Sequence, residues 1–347
     1  MNSLYISKDQ FSDILNLSNG VFSPLKHFVS EKDFKNILLK KKIKKNYFPI
    51  PIFFGIKKNI FNKIKNKKNI KLYYKKNLIA VVKINSIYKI NKKIFGKKIF
   101  GKKFIKHSYY IKFNRENYAF LDFTYKKIFK KKLVDKNFVS PTQFKKKIKT
   151  KKTLAGFHTR NVPHEAHQWI HRYLLKKYSN LLIQPLLGQY KKNEYLDKII
   201  KMTNLVAAKM YNKKNTFFIP FFSYPRYGGP LEAALHAIVR KNYGCTHFWV
   251  GRDHAGFKKF FQKYESQNYC KKIQKKIGIN IIAHDEPYYC STCKVVVNKN
   301  CNKKSCSGKK ISISGTKIRR YIRSNKKIPN FLMNKKISIL LNKKSII

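Results

Sequence analysis

Residues 157–167 read Phe-His-Thr-Arg-Asn-Val-Pro-His-Glu-Ala-His, a stretch dense in side chains that hold oxyanions. Arginine offers a planar fork that grips two oxygens of a phosphate or sulfate at once. Imidazole and amide groups add single hydrogen bonds. The apolar run 153–157 ahead of it reads as a short buried strand. Pro163 suits the first helical position, where a missing N–H costs nothing. His164 and His167, three apart, then share one face at the start of that helix. Unpaired backbone N–H groups and the positive end of the helix dipole point the same way, so the chemistry is binding of a phosphate-like anion.

Three further segments carry similar chemistry. Gly251-Arg252-Asp253-His254-Ala255-Gly256 leaves a strand-like run at 246–250 and enters a helix expected from about 256 to 272. Its glycines allow close backbone approach or positive φ. In Ser312-Ile313-Ser314-Gly315-Thr316-Lys317-Ile318-Arg319-Arg320, Ser314 or Thr316 can cap the following helix, and Gly315 lets its amides approach an anion. Pro225-Arg226-Tyr227-Gly228-Gly229-Pro230-Leu231-Glu232 is a turn before a helix that carries His236. The cysteines Cys290, Cys293, Cys301 and Cys306 form two pairs whose spacing suits a closed, structural tetrahedral zinc site. Cys245 and Cys270 read as ordinary thiols, and His27, His107, His171 and His284 as packing or surface residues.

The elements that must position these groups are read from periodicity. The fold class is α/β. Residues 1–150 form a mainly β domain with a helical start, with strands at 47–54 and 78–82. The repeated Phe-Gly-Lys-Lys at 95–98 and 100–103 reads as compositional drift, and 136–152 as a linker. From 153 strands alternate with helices: strands at 181–183, 216–219, 246–250 and 279–282, helices at about 195–211, 231–242 and 256–272. That alternation predicts a doubly wound parallel sheet over 151–288, with ligands at the carboxyl ends of its strands. Residues 289–347 form a small subdomain with the cysteine cluster and two short helices.

The net charge is +64. Nine of the 79 basic residues are Arg, leaving 70 Lys spread along the chain among Asn and Ile. All three have AT-rich codons, so base bias explains the pattern without a dedicated nucleic-acid surface. Weak attraction to polyanions still follows. Arginine is scarce and eight of nine lie after residue 150, most of them in or beside the motifs. Only 15 residues are acidic, which gives Asp253 added weight. No apolar run is long enough to span a membrane and no secretory signal is visible, so the expected place is the cytoplasm.

Taken in order, the motifs resemble sulfate adenylyltransferase, the ATP sulfurylase family, over nearly the whole chain. Gly20-Val21-Phe22-Ser23-Pro24-Leu25 and Phe48-Pro49-Ile50-Pro51 resemble blocks of its first domain. Arg160-Asn161 with His164-Glu165-Ala166-His167, Gln184-Pro185-Leu186-Leu187-Gly188, Tyr227 to His236, Tyr243 to His247, and 251–256 resemble its catalytic blocks. The family has Gln where this chain has His158, and often Ala where it has Gly228. The resemblance implies a PUA-like first domain, a Rossmann-like nucleotidyltransferase domain, and the shorter type without a fused kinase. It also implies that ATP and sulfate give adenosine 5′-phosphosulfate (APS) and diphosphate, with Mg²⁺ accompanying ATP, in a homodimer.

The same resemblance implies residue roles. Arg160 holds sulfate and α-phosphate oxygens, with Thr159 and Asn161 orienting them and His158 in contact with sulfate and nucleotide. His164 and His167 face the β- and γ-phosphates. Gly251, Arg252, Asp253, His254 and Ala255 line the nucleotide and sulfate pocket, Asp253 either by touching substrate or by orienting Arg252. Ser314, Gly315 and Thr316 lie on the phosphate side. Three competing readings are an adenylyltransferase for another acceptor, a basic zinc-containing RNA-binding protein, and a decayed, inactive sulfurylase. The first-domain blocks and the intact 251–256 motif oppose the first. The lack of an interleaved aromatic and basic surface motif opposes the second.

Overall fold

The structure is a computed structural model that describes residues 2–129, 135–148, 152–188, 194–258, 260–299, 301, 306 and 308–347. Two compact units emerge, one of Met1–Ile148, Pro225–Gly244 and Asp253–Ile279, the other of Lys149–Tyr224, Cys245–Arg252 and Asn280–Ile347.

In the first unit, β1 (Asn2–Tyr5), β2 (Gly55–Ile56), β3 (Asn69–Tyr74), β4 (Asn77–Tyr88) and β5 (Ala119–Ile128) form a sheet in the order β1-β3-β4-β5-β2. Only β1 and β3 are parallel. Alternation along β3 buries Ile70 and Leu72. A phenylalanine cluster fills the core, with Phe53 4.6 Å from Phe120 and Phe54 5.1 Å from Phe123, ring centre to ring centre.

Several expectations change here. The chain starts with a strand, and helix is the commoner state in residues 2–148, so the segment is not mainly β. Residues 48–54 are not a strand, because Pro49 and Pro51 remove ladder donors at alternate positions. The run 95–103 is not a structural repeat: Lys92–Phe100 is helical and buries Phe95, Ile99 and Phe100. Gly96 sits inside that helix against Phe104 and Tyr110, whereas Gly101 ends it at φ +77°, so the repeated letters take two unlike roles. Within the expected linker, Pro141–Ile148 is a helix. Ser140 and Gln143 bond each other's backbone N–H as a capping box, and Phe144 is buried beside Tyr243.

Two helices of this unit come late in the chain, Pro230–Asn242 and Glu265–Ile277. The second starts nine residues after the expected Gly256. The cause is a run of left-handed residues, Ala255, Lys258 and Tyr264 at φ +57°, +50° and +66°, that a helix cannot contain. Ahead of the first helix, the Arg226 guanidinium grips both oxygens of Asp13 at 2.9 and 3.1 Å, with both side chains buried.

The second unit is built on β6 (Leu154–Thr159), β7 (Asn180–Leu187), β8 (Thr216–Phe218), β9 (His247–Val250) and β10 (Asn280–Ala283). All pair in parallel, in the order β8-β7-β6-β9-β10. In chain rank this is 3-2-1-4-5, the doubly wound order, which reverses direction between β6 and β9. β7 is buried at every position, as a central parallel strand must be. The helices Glu165–Lys177 and Asp197–Lys209 belong to this unit, and Phe157, Ile170, Leu174, Leu181 and Ile183 share one core cluster. A three-stranded antiparallel sheet of Tyr288–Cys290, Val295–Val297 and Lys310–Ser312 follows, then the helix Gly315–Arg323.

Removing one partner of a buried ion pair strands the other charge. Asp13→Ala is therefore expected to cost about 3–5 kcal/mol of stability by denaturant unfolding; a loss below about 1 kcal/mol contradicts this account of the pair.

Candidate active site

In the second unit, the pairing of β6 and β9 stops short of their carboxyl ends. β6 pairs with β7 through to Thr159, opposite Pro185. Its pairing with β9 ends at Gly156, opposite Phe248. Beyond that register the two strands part at the switch point, where ligands of such sheets bind. His158 and Thr159 end β6 there with Arg160 and Asn161 following, and Gly251 and Arg252 follow β9.

Local hydrogen bonds fix the β6 turn. Thr159 Oγ1 accepts from the Asn161 N–H at 3.0 Å. The Asn161 carbonyl accepts from Asn204 Nδ2 at 3.0 Å. His158 Nδ1 lies 3.3 Å from the Gln184 carbonyl, which ties the ring to β7 and makes Nδ1 its protonated nitrogen. Ser314 caps the helix Gly315–Arg323 by accepting from Lys317 N–H at 3.3 Å. A Cβ at Gly315 would lie 3.1 Å from Asn161 Oδ1, so this helix start packs directly on the β6 turn. Thr316 Oγ1 accepts from Arg319, whose other terminal nitrogen lies 3.4 Å from Asn161 Oδ1. Thus Asn161, Ser314, Gly315 and Thr316 are brought together.

The histidines correct one detail. The helix begins at Glu165 with His164 as its N-cap, so Pro163 lies outside it. His164 Nδ1 accepts from the His167 N–H at 3.4 Å, and the rings stack 3.8 Å apart. An accepting Nδ1 puts the neutral ring's proton on Nε2. Burial, then repulsion from His167, holds His164 well below the ordinary histidine pKa. Burial pushes His167 down to about 4, against a smaller opposing effect of a Val162 backbone hydrogen bond. Both rings are therefore neutral at pH 7, and they form hydrogen bonds without mutual repulsion.

The arginines of the two turns are held by acids that the sequence reading did not single out. Arg160 pairs with Glu194 at 3.1 Å and Arg252 with Glu286 at 2.7 Å. Acidic scarcity was the available signal for both. Arg319 was likewise passed over, although arginine scarcity marks it too.

In the first unit, a Cβ at Gly256 would fall 2.0 Å from Asp253 Oδ1, so the Asp253 side chain folds back over its own loop. The His254 carbonyl accepts from Ser266 Oγ at 2.8 Å, and the Ala255 carbonyl from Gly229 N–H at 3.0 Å.

Cys290, Cys293, Cys301 and Cys306 bring their four sulfurs within 4.8 Å of one another. Cys306 Sγ is 3.5 Å from Cys290 Sγ and 3.4 Å from Cys293 Sγ. These separations exceed any disulfide bond. They lie close to the ~3.8 Å that four thiolates 2.3 Å from one zinc would show.

A 3-2-1-4-5 parallel sheet with an arginine turn and a capped helix start beside its switch point is a nucleotide-binding α/β fold. The ATP-sulfurylase family model matches residues 135–344, and a PUA-like domain model matches 1–121. Relatives named sulfate adenylyltransferase include one from Pyrococcus abyssi, 32% identical over 94% of this chain and 86% of its own. Another, from Staphylothermus marinus, is 29% identical over 97% of this chain and 89% of its own. A solved structure titled hexameric APS kinase from Thiobacillus denitrificans superposes with a TM-score of 0.75 at 15% identity, which speaks for the fold. It covers 98% of this chain, and the chain spans 62% of that structure's length. The chain belongs to the ATP sulfurylase family, whose members are nucleotidyltransferases.

An anion that binds Arg160 has to displace Glu194, so Glu194→Gln is expected to lower the KM for sulfate about 1.4- to 5-fold, the range a partly exposed pair supports. A raised KM would contradict the competition.

Proposed function

We propose that this chain catalyses ATP + sulfate → adenosine 5′-phosphosulfate + diphosphate, and the reverse. The observation that carries the reading is the switch point, where Thr159-Arg160-Asn161 and Gly251-Arg252 leave neighbouring parallel strands in a family-matching chain.

The chemistry suits these residues. Sulfate is fully ionised at neutral pH, so its attack on the α-phosphorus requires no general base. The barrier is charge repulsion and alignment. Arg160 would bridge sulfate and α-phosphate oxygens after exchanging its Glu194 partner for substrate. Thr159 and Asn161, locked by their turn, orient it. His158 offers a ring in place of the amide usual in the family. The Nε2–H of neutral His164, with His167 beside it, would stabilise the diphosphate as it leaves. Ser314, Gly315 and Thr316 lie on the phosphate side. For Asp253, His254 and Ala255 the assignment to nucleotide and sulfate rests on the matching motif.

The four cysteines fit zinc, which would tie Tyr288–Cys290 to the loops that follow it. Mg²⁺ would accompany ATP. The homodimer is our reading from family resemblance, and the cytoplasm our reading from the lack of a visible secretory signal; among the described residues no helix is long and apolar enough to cross a membrane.

The test is ATP formation from adenosine 5′-phosphosulfate, diphosphate and Mg²⁺. The wild-type chain is expected to make ATP, and Arg160→Ala to lose at least about 10²-fold, or about 2.7 kcal/mol of transition-state stabilisation. No ATP from the wild-type chain above the Arg160→Ala background overturns the proposal.

A further inference from the structure

We infer that Tyr195 is a positioning residue that holds the Arg319 guanidinium ready for the diphosphate end of the substrate. The inference deepens the proposed activity and rests on it for the identity of the anion. Its geometry lies wholly within the second unit.

Arg319 stands on the helix Gly315–Arg323, beside the turn that follows β6. One terminal nitrogen donates to Thr316 Oγ1 at 3.1 Å, and the other to Asn161 Oδ1 at 3.4 Å. Both acceptors are neutral. Arg319 forms no ion pair among the described residues, which include all 15 acidic residues of the chain. Arg160 and Arg252, by contrast, each face a carboxylate. A guanidinium has five N–H donors, so two neutral hydrogen bonds leave donors and a full positive charge for an anion. The departing diphosphate needs such a charge, because His164 and His167 are neutral and supply none.

A long side chain with two hydrogen bonds, one of them stretched, is loosely held, and Tyr195 supplies a further hold. The Arg319 guanidinium carbon lies 5.7 Å from the centre of the Tyr195 ring, within cation–π reach. This attraction steadies the fork without neutralising it, as a carboxylate would. Tyr195 is fully buried, in the core cluster with Val162, Ile313 and Ile318. Its hydroxyl has no hydrogen-bond partner among the described residues. The ring, and not the hydroxyl, therefore serves Arg319.

The backbone that carries the ring is held independently. The Leu196 N–H donates to the Ser345 carbonyl at 3.1 Å and the Ile347 N–H to the Glu194 carbonyl at 2.8 Å, with Tyr195 paired opposite Ile346. A change of side chain at 195 should thus release Arg319 while the backbone stays in place.

The experiment titrates the full chain with inorganic diphosphate and Mg²⁺, at physiological salt to suppress diffuse binding to the lysines. Arg319→Gln is expected to weaken diphosphate binding about 10- to 100-fold, the range of a hydrogen bond to a charged group. Tyr195→Leu keeps apolar bulk without the ring and should weaken it about 2- to 30-fold. Tyr195→Phe keeps the ring and should stay within about twofold of the wild type. In the Arg319→Gln background, Tyr195→Leu should add less than about twofold, because the two residues act as a pair. No loss in Arg319→Gln, equal losses in Tyr195→Phe and Tyr195→Leu, or an undiminished loss in the double variant overturns the inference. So does a wild-type chain that binds no diphosphate. If the Leu variant does not fold, the ¹³C ring signals of Tyr195 decide. They should move when diphosphate binds the wild-type chain and stay in place in Arg319→Gln; no movement in the wild-type chain overturns the positioning role. A wild-type chain that binds diphosphate but makes no ATP sinks the proposed activity instead, and the binding comparisons still judge Tyr195.

Discussion

The reversal of strand order beside β6 is the constraint on which the candidate site depends. β6 runs with β7 over its full length but leaves β9 after Gly156. Strand separation of about 4.8 Å is enforced only while backbone groups pair, so the strands are free to part where that pairing stops. Candidate residues of the second unit are then placed by what they bond to at that edge. Thr159 closes the turn, Asn204 holds the Asn161 carbonyl, and the Gly315 helix start abuts Asn161. Glycine at 315 suits that approach, since a Cβ there would lie 3.1 Å from Asn161 Oδ1 and crowd its side chain.

Charge management follows from the same geometry. A chain with net charge +64 needs no help attracting anions. Its difficulty is discrimination, because diffuse lysine charge offers no directional contacts. The turns instead present arginines, each already engaged by a carboxylate, so a bound anion must exchange for Glu194 or Glu286. The stacked His164 and His167 rings solve a second problem. Held neutral by burial, they stack without the repulsion that two imidazolium ions 3.8 Å apart would suffer.

Legibility varied with how local the determining physics is. The parallel sheet was readable because apolar strand runs alternate with helical ones from 153 onward, and the motif residues on β6 were readable because side-chain type announces anion chemistry. The helix at 141–148 was also readable, since Ser140-Pro141-Thr142-Gln143 is a capping box with proline at the first helical position, but its lysines drew it into a linker. The loop through 264 was not readable: Ala255, Lys258 and Tyr264 take positive φ with no glycine or asparagine to signal it. Nor were Glu194 and Glu286, whose importance lies in partners far along the chain. Strand order itself depends on pairing across 92 residues, as in Leu154 N–H to Thr246 Oγ1.

The central claim is that the site positions sulfate for direct attack and that its histidines bind without bonding covalently. Stereochemistry at the α-phosphorus tests it most directly. One diastereomer of adenosine 5′-(1-thiotriphosphate) would be turned over with sulfate and the configuration of the product determined. A single in-line displacement predicts inversion. Net retention would mean two displacements and a nucleotidyl intermediate on a side chain such as His164, and would contradict the account.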